Sequence, residues 1–205
     1  MSLLDDILKK AKRSLQQEGK ELLKQGEKNL KNKLTLEKKR YSFETLPRSA
    51  EEMKALPGYD ITDPFYVGAL TVLALSVFSE KPEEGLPLLN LLCGPQPLNP
   101  LGVQQLKDRL MDGKNYIARS YFEGATPKNN YEPTKPYTVE VAENPYSRDN
   151  IAEGYLVLYV KSGGADSERP FTLRQKKSTG EWFLFGEFTG LLAGIRIPEA
   201  QDPWA

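Results

Sequence analysis

The chain has 205 residues, 39% hydrophobic and 27% charged, which places it among globular proteins and gives it length for one sizeable domain with an appendage. It contains no histidine and one cysteine, Cys93. That excludes His-based triads, histidine general bases, zinc sites built on His or Cys, internal disulfides and iron–sulfur clusters. Lys plus Arg balance Asp plus Glu at 28 each, so a globally basic nucleic-acid binder is not indicated. The charge is uneven: residues 1–40 hold twelve basic and six acidic residues, a net of +6, and the rest carries the balancing −6.

Residues 3–34 read as a long amphipathic helix. Leu4, Leu8, Ala11, Leu15, Leu22 and Leu30 fall on one face of a 3.6-residue period, with lysines over much of the remainder. The stripe breaks at Glu18 and Gln25, so a strict heptad is not kept. Such a helix suits self-association or a protein partner. Attachment to an anionic membrane surface is the weaker alternative, since its five acidic residues dilute the positive charge and no Trp or Phe anchors it. The first twenty residues have no unbroken apolar run of the kind a secretory signal needs, and the expected location is the cytoplasm.

Leu36, Tyr41 and Phe43 suggest a short extended segment closed by Pro47. Ser49 and Glu52 form a capping box for a short helix ending before Pro57-Gly58. Asp63-Pro64 is an N-cap followed by proline at the first helical position. The helix it opens, Phe65 to about Ser79, is apolar on every side and belongs in the middle of a domain. Its charge-free run of fifteen residues from Pro64 to Phe78 is short of a membrane span. A second helix covers about Glu83 to Leu92 and stops at Gly94-Pro95. A third starts at Asn99-Pro100, turns Val103, Leu106 and Leu110 inward, and ends at Gly113.

After residue 115 the period changes to two. Strands are expected at Tyr116–Phe122, Tyr137–Val141, Tyr155–Lys161, Phe171–Lys176 and Trp182–Phe188, with a hairpin turn at Ser178-Thr179-Gly180. The expected fold class is α+β: a helical cluster on one face of an antiparallel sheet of about five strands, preceded by the long N-terminal helix. Residues 1–40 form the appendage and residues 47–205 the globular domain. The closing Trp204 is expected to be docked.

Several short strings occur in a recognisable order: Asp63-Pro64-Phe65-Tyr66-Val67, Cys93-Gly94-Pro95-Gln96-Pro97-Leu98, Ser120-Tyr121-Phe122-Glu123-Gly124-Ala125-Thr126-Pro127, Asn129-Asn130-Tyr131, Ser162-Gly163-Gly164-Ala165-Asp166, Arg169-Pro170 and Asp202-Pro203-Trp204. Over about residues 47–205 the chain resembles an uncharacterised bacterial family, known mainly from gut anaerobes, that carries a domain of unknown function. The resemblance implies a bacterial, cytoplasmic protein and brings no activity, ligand or catalytic residue.

Two loops carry the candidate ligand-binding residues. Ser162, Asp166, Arg169 and Arg174 surround a Gly-Gly pair that would let backbone N–H groups approach a carboxylate or phosphate. The plain alternative is a hairpin loop with Asp166 paired to Arg169. In the long loop Gly124–Pro136, Asn129, Asn130 and Tyr131 could read a polar ligand, or the loop is held by its own Asx turns. The aromatics Tyr155, Tyr159, Phe171, Trp182, Phe183, Phe185 and Phe188 are expected to pack in the core. Cys93 reads as a small buried hydrophobe. No catalytic residue, metal site or cofactor is indicated. The expected function is a non-enzymatic binding or interaction module for a small polar or anionic ligand or a protein partner. The competing expectation is an enzyme using carboxylate, Tyr or Arg groups in a cleft beside the sheet.

Overall fold

The computed structural model describes residues 17–24, 26, 36–186 and 189–204. The chain divides into two compact units, Met1–Leu36 and Glu37–Ala205. In the first, residues 17–24 and 26 are helical and Leu22 and Leu23 are exposed; the remainder of the expected helix lies outside the described residues.

The second unit is organised by one helix. After α1 (Ala50–Lys54), capped by Ser49 Oγ accepting from Glu52 N, comes α2 (Pro64–Glu80), in which every residue from Phe65 to Ser79 is buried. Two of its buried hydroxyls are satisfied on the helix itself: Thr71 Oγ1 donates to Val67 O and Ser79 Oγ to Ser76 O. A helix without a polar face must be covered all round. The neighbours are α3 (Pro82–Cys93), α4 (Pro100–Leu110), α5 (Tyr116–Arg119) and the sheet. Gly85 lets α3 lie directly on α2, since a Cβ there would stand 2.3 Å from the backbone of Phe78. Gly68 admits the ring edge of Phe171 from the sheet in the same way.

The sheet is antiparallel with spatial order β1-β2-β3-β4-β5, and α2 packs on one face of it: β1 (Lys38–Phe43), β2 (Tyr137–Ala142), β3 (Tyr155–Val160), β4 (Arg169–Gln175) and β5 (Trp182–Leu184). The α+β class and the count of five strands are as expected, but one strand differs. Tyr116–Phe122 is not a strand. Its residues are buried almost without interruption rather than on alternate positions, and they form α5 and the turn after it. The fifth strand is β1, the extended segment around Tyr41. Lys39, Tyr41 and Phe43 are its less exposed positions, while Lys38, Arg40 and Ser42 are exposed. β1 pairs with β2 over six residues, Lys38↔Ala142 to Phe43↔Tyr137, so the sheet is already begun before the helices. β2 and β3 pair only at Val141↔Val160 and Ala142↔Tyr159. Segment 121–126 backs the opposite end of β2, where Glu123 N donates to Thr138 O (2.9 Å) and the Phe122 and Tyr137 rings meet at 5.2 Å. The turn between β4 and β5 is closed by Gly180 N on Lys176 O (2.9 Å), as its sequence implies.

Two aromatic expectations are corrected. Phe171 and Trp182 are core residues, but Tyr155, Tyr159, Phe183 and Phe185 are only half-buried; Phe188 lies outside the described residues. Trp204 is 93% exposed, in a short turn where its N–H donates to Asp202 Oδ1. α6 (Thr189–Leu192) packs against β4, α4 and α5 and buries Leu191 and Leu192.

Asp63 links β1 to the central helix. Its Oδ1 caps α2 by accepting from Phe65 N (3.0 Å), and its Oδ2 accepts from Tyr41 Oη (2.6 Å) and Lys39 Nζ (3.1 Å). Burial, reinforced by this carboxylate, holds the Tyr41 phenol well above its usual range. Asp63→Ala removes the cap and both strand contacts and is expected to cost about 2–3 kcal/mol. Asp63→Asn keeps a capping oxygen and is expected to cost about 1 kcal/mol or less. Urea unfolding of the two variants checks this; equal losses would show that the cap does not contribute separately.

Candidate ligand-binding site

The two loops singled out in the sequence come together. Gly163 N donates to Ser120 O (2.9 Å), and a Cβ on Gly163 would stand 1.9 Å from Ala125 O. A Cβ on Gly164 would stand 2.0 Å from Tyr131 Oη. The glycines thus serve loop-to-loop contact.

The polar groups there are occupied from within. Asn129 Oδ1 accepts from Thr126 N (2.8 Å) and Thr126 Oγ1 (3.1 Å), while its Nδ2 donates to Gly124 O and Glu132 O (2.9 Å each). That uses the whole capacity of the amide. Asn130 has φ +55°, and its carbonyl accepts from Arg119. Tyr131 is fully buried, stacks on Tyr116 with ring centroids 5.5 Å apart, and donates to Arg196 O (2.6 Å). Burial pushes its phenol up to about 12. Ser162 Oγ donates to Ser120 Oγ (2.8 Å) and accepts from Gly164 N. Asp166 pairs with Arg196 (2.7 Å), not with Arg169, whose Nη2 donates to Gly194 O (2.6 Å). Arg174 is five residues along β4 from Arg169, roughly 17 Å at strand rise. It takes no part in the cluster.

Arg174 stands instead beside a pair of adjoining clefts at the β5 edge. The first, about 390 Å³, lies between the end of α3, the face of α4 carrying Leu101, Gln105 and Arg109, and the segment Leu184–Gly186. The second, about 320 Å³, lies among Pro95, Arg174, Lys176 and Phe183. Cys93, Gln96, Leu184 and Phe185 line both. Volumes of this size suit small ligands. Leu101, Gln105 and Arg109 follow one another at intervals of four on α4, so they share a face, while Leu106 and Leu110 anchor the helix in the core. Asn99 caps α4 by accepting from Gly102 N (2.8 Å), and Asn90 Oδ1 accepts from Leu98 N (3.0 Å), fixing the linker that forms one wall.

Gly94 shapes the junction. Its φ is +58°, and a Cβ would stand 2.2 Å from the Phe183 ring. β5 is held beside it by Trp182 N donating to Ile61 O (2.7 Å). The Arg174 guanidinium lies 5.3 Å from the Tyr155 ring centroid and 5.2 Å from that of Phe185. These two rings meet edge to face at 5.2 Å. A further cavity of about 360 Å³ at Arg40, Glu123, Glu140 and Lys161 has both signs of charge; Arg40 pairs there with Glu123, and Lys38 with Glu140 (2.8 Å).

The family model described as Domain of unknown function (DUF6935) matches residues 45–199. The chain belongs to this family. No curated protein matches the chain, and no solved structure matches it. The matched stretch contains both clefts and both loops and begins just after β1. Among the described residues no helix is long and apolar enough to cross a membrane.

Of the residues lining the clefts, the sequence pattern points only to Arg174 for ligand binding, and it groups that side chain with the wrong loop. Two further signals are present in the chain. The string Cys93–Leu98 has two prolines and a glycine and forms a wall, and Leu101 is an apolar residue off the inward stripe of its helix.

Burial pushes the Cys93 thiol from its ordinary 9.0 up to about 11. The folded state therefore favours the neutral thiol. Its contribution is complete below pH 9 and is lost as the pH rises from 9 towards 11. Relative to Cys93→Ala, the native chain is expected to lose about 2 kcal/mol more over that interval. Urea unfolding at pH 8, 9, 10 and 11 measures the difference, and parallel curves would refute it.

Proposed function

We propose that the chain is a non-enzymatic binding module of the cytoplasm, with the twin cleft at the β5 edge as its ligand seat and the N-terminal helix serving assembly. The observation that carries the ligand seat is the contrast between the two regions. The loop cluster uses its polar groups on itself, whereas the clefts combine apolar walls with polar side chains, from α4 in the first and from β4 in the second. A mostly apolar concavity with a few placed polar groups is the general form of a small-molecule site. For assembly the support is the pair Leu22 and Leu23, about 70% exposed on a helical segment, in a region with a leucine stripe and a net charge of +6.

The ligand seat is tested by native mass spectrometry of the full-length protein purified under mild conditions. A reproducible added mass is expected, and Gln105→Trp, which places a large ring at the cleft from an exposed position, is expected to remove it. An added mass that survives Gln105→Trp would move the ligand elsewhere, and a clean protein mass would count against a tightly held ligand.

Assembly is tested by light scattering on a chain lacking residues 1–36. The cut must fall before Lys38, because a deletion through residue 40 removes half of β1. The shortened chain is expected to be a folded monomer and the full chain to be larger than a monomer. A monomeric full chain would sink the assembly reading.

A further inference from the structure

We propose that the ligand of the twin cleft is a single-chain aliphatic carboxylate, with its acid group on Arg174 and its chain along the apolar wall; this rests on the cleft being the ligand seat. The first ground is charge. The charged side chains lining the two clefts are Arg109, Arg174 and Lys176, with no carboxylate among the described lining residues. Elsewhere on this domain several cations are paired with carboxylates, among them Arg40 with Glu123, Arg196 with Asp166 and Lys39 with Asp63.

The second ground is the placement of Arg174. Among the described residues its side chain has no hydrogen-bond or ion-pair partner, and its guanidinium lies over the rings of Tyr155 and Phe185. Two rings constrain a guanidinium without using its N–H groups, so the planar fork remains available for two parallel bonds to a planar carboxylate. The third ground is shape. Cys93, Gln96, Leu184 and Phe185 line both clefts. A ligand reaching from Arg174 to α4 has to turn around these shared residues, which suits a flexible chain better than a rigid ring system, and Leu98, Leu106 and Leu192 supply apolar surface in the first cleft.

The test is isothermal titration of the full-length protein with decanoate, 1-decanol and decyltrimethylammonium, each below its aggregation threshold. Decanoate is expected to bind at least tenfold more tightly than decanol, and the ammonium more weakly than either. Arg174→Gln is expected to bring decanoate down to the level of decanol and leave decanol unchanged, which also shows that the variant is folded. Gln105→Trp is expected to weaken both. Equal binding of decanoate and decanol, or decanoate binding indifferent to Arg174→Gln, overturns the carboxylate and leaves the cleft standing. The carboxylate is overturned too if decanoate fails to bind a protein that still carries a co-purified mass sensitive to Gln105→Trp. Decanoate binding untouched by Gln105→Trp overturns the cleft itself.

Discussion

A helix with no polar face cannot lie on a surface, and the domain is arranged around that constraint. From Phe65 to Ser79 every side chain of α2 is buried, so each direction around its axis needs a covering element. Each cover solves a local problem of approach. Gly85 brings α3 to backbone contact, Gly68 receives Phe171 from β4, and Asp63 holds β1 to the helix start while capping it. Packing at this closeness leaves little room for adjustment, which is why small residues sit at the crossings.

The same economy separates the loops from the cleft. Backbone that leaves regular structure must find partners for its N–H and C=O groups, and in loops 124–136 and 162–169 the side chains of Asn129, Tyr131 and Ser162 supply them. Those residues have the chemistry of recognition and are used for internal order. At the β5 edge the local demands are met by backbone and by Asn90 and Asn99, and Gln105, Arg109 and Arg174 project beyond them.

Much of the architecture is legible in the sequence where a local rule and the global fold agree. Asp63-Pro64 and Asn99-Pro100 announce helix starts that the structure places at those residues, and Lys176–Glu181 turns as its glycine implies. The departures share a cause. Tyr116–Phe122 has strand-like composition, but it is enclosed by Tyr131, Leu191 and the central helix, and tertiary enclosure overrides local preference. β1 shows in the sequence only as an extended segment, because its partner lies almost a hundred residues away and no local pattern names it. Nearness in sequence groups Arg174 with Arg169, although along a strand five residues carry a side chain to another site and to the opposite face. Hydrophobicity alone would send Trp204 to the core, but the turn after Asp202 leaves it exposed.

The long-range pairing of β1 also bears on how the chain is made. A strand that emerges from the ribosome at residue 38 waits for its partner at residue 137, and the intervening segment, α2 included, is synthesised first. Loop closure over that distance is entropically slow, so the sheet edge is completed late. Until then α2 lacks one of its covers, and an apolar surface is open to other nascent chains. Lys38, Lys39 and Arg40 place three like charges on the waiting strand. Such charge discourages the edge from joining a neighbour's sheet while its own is unfinished.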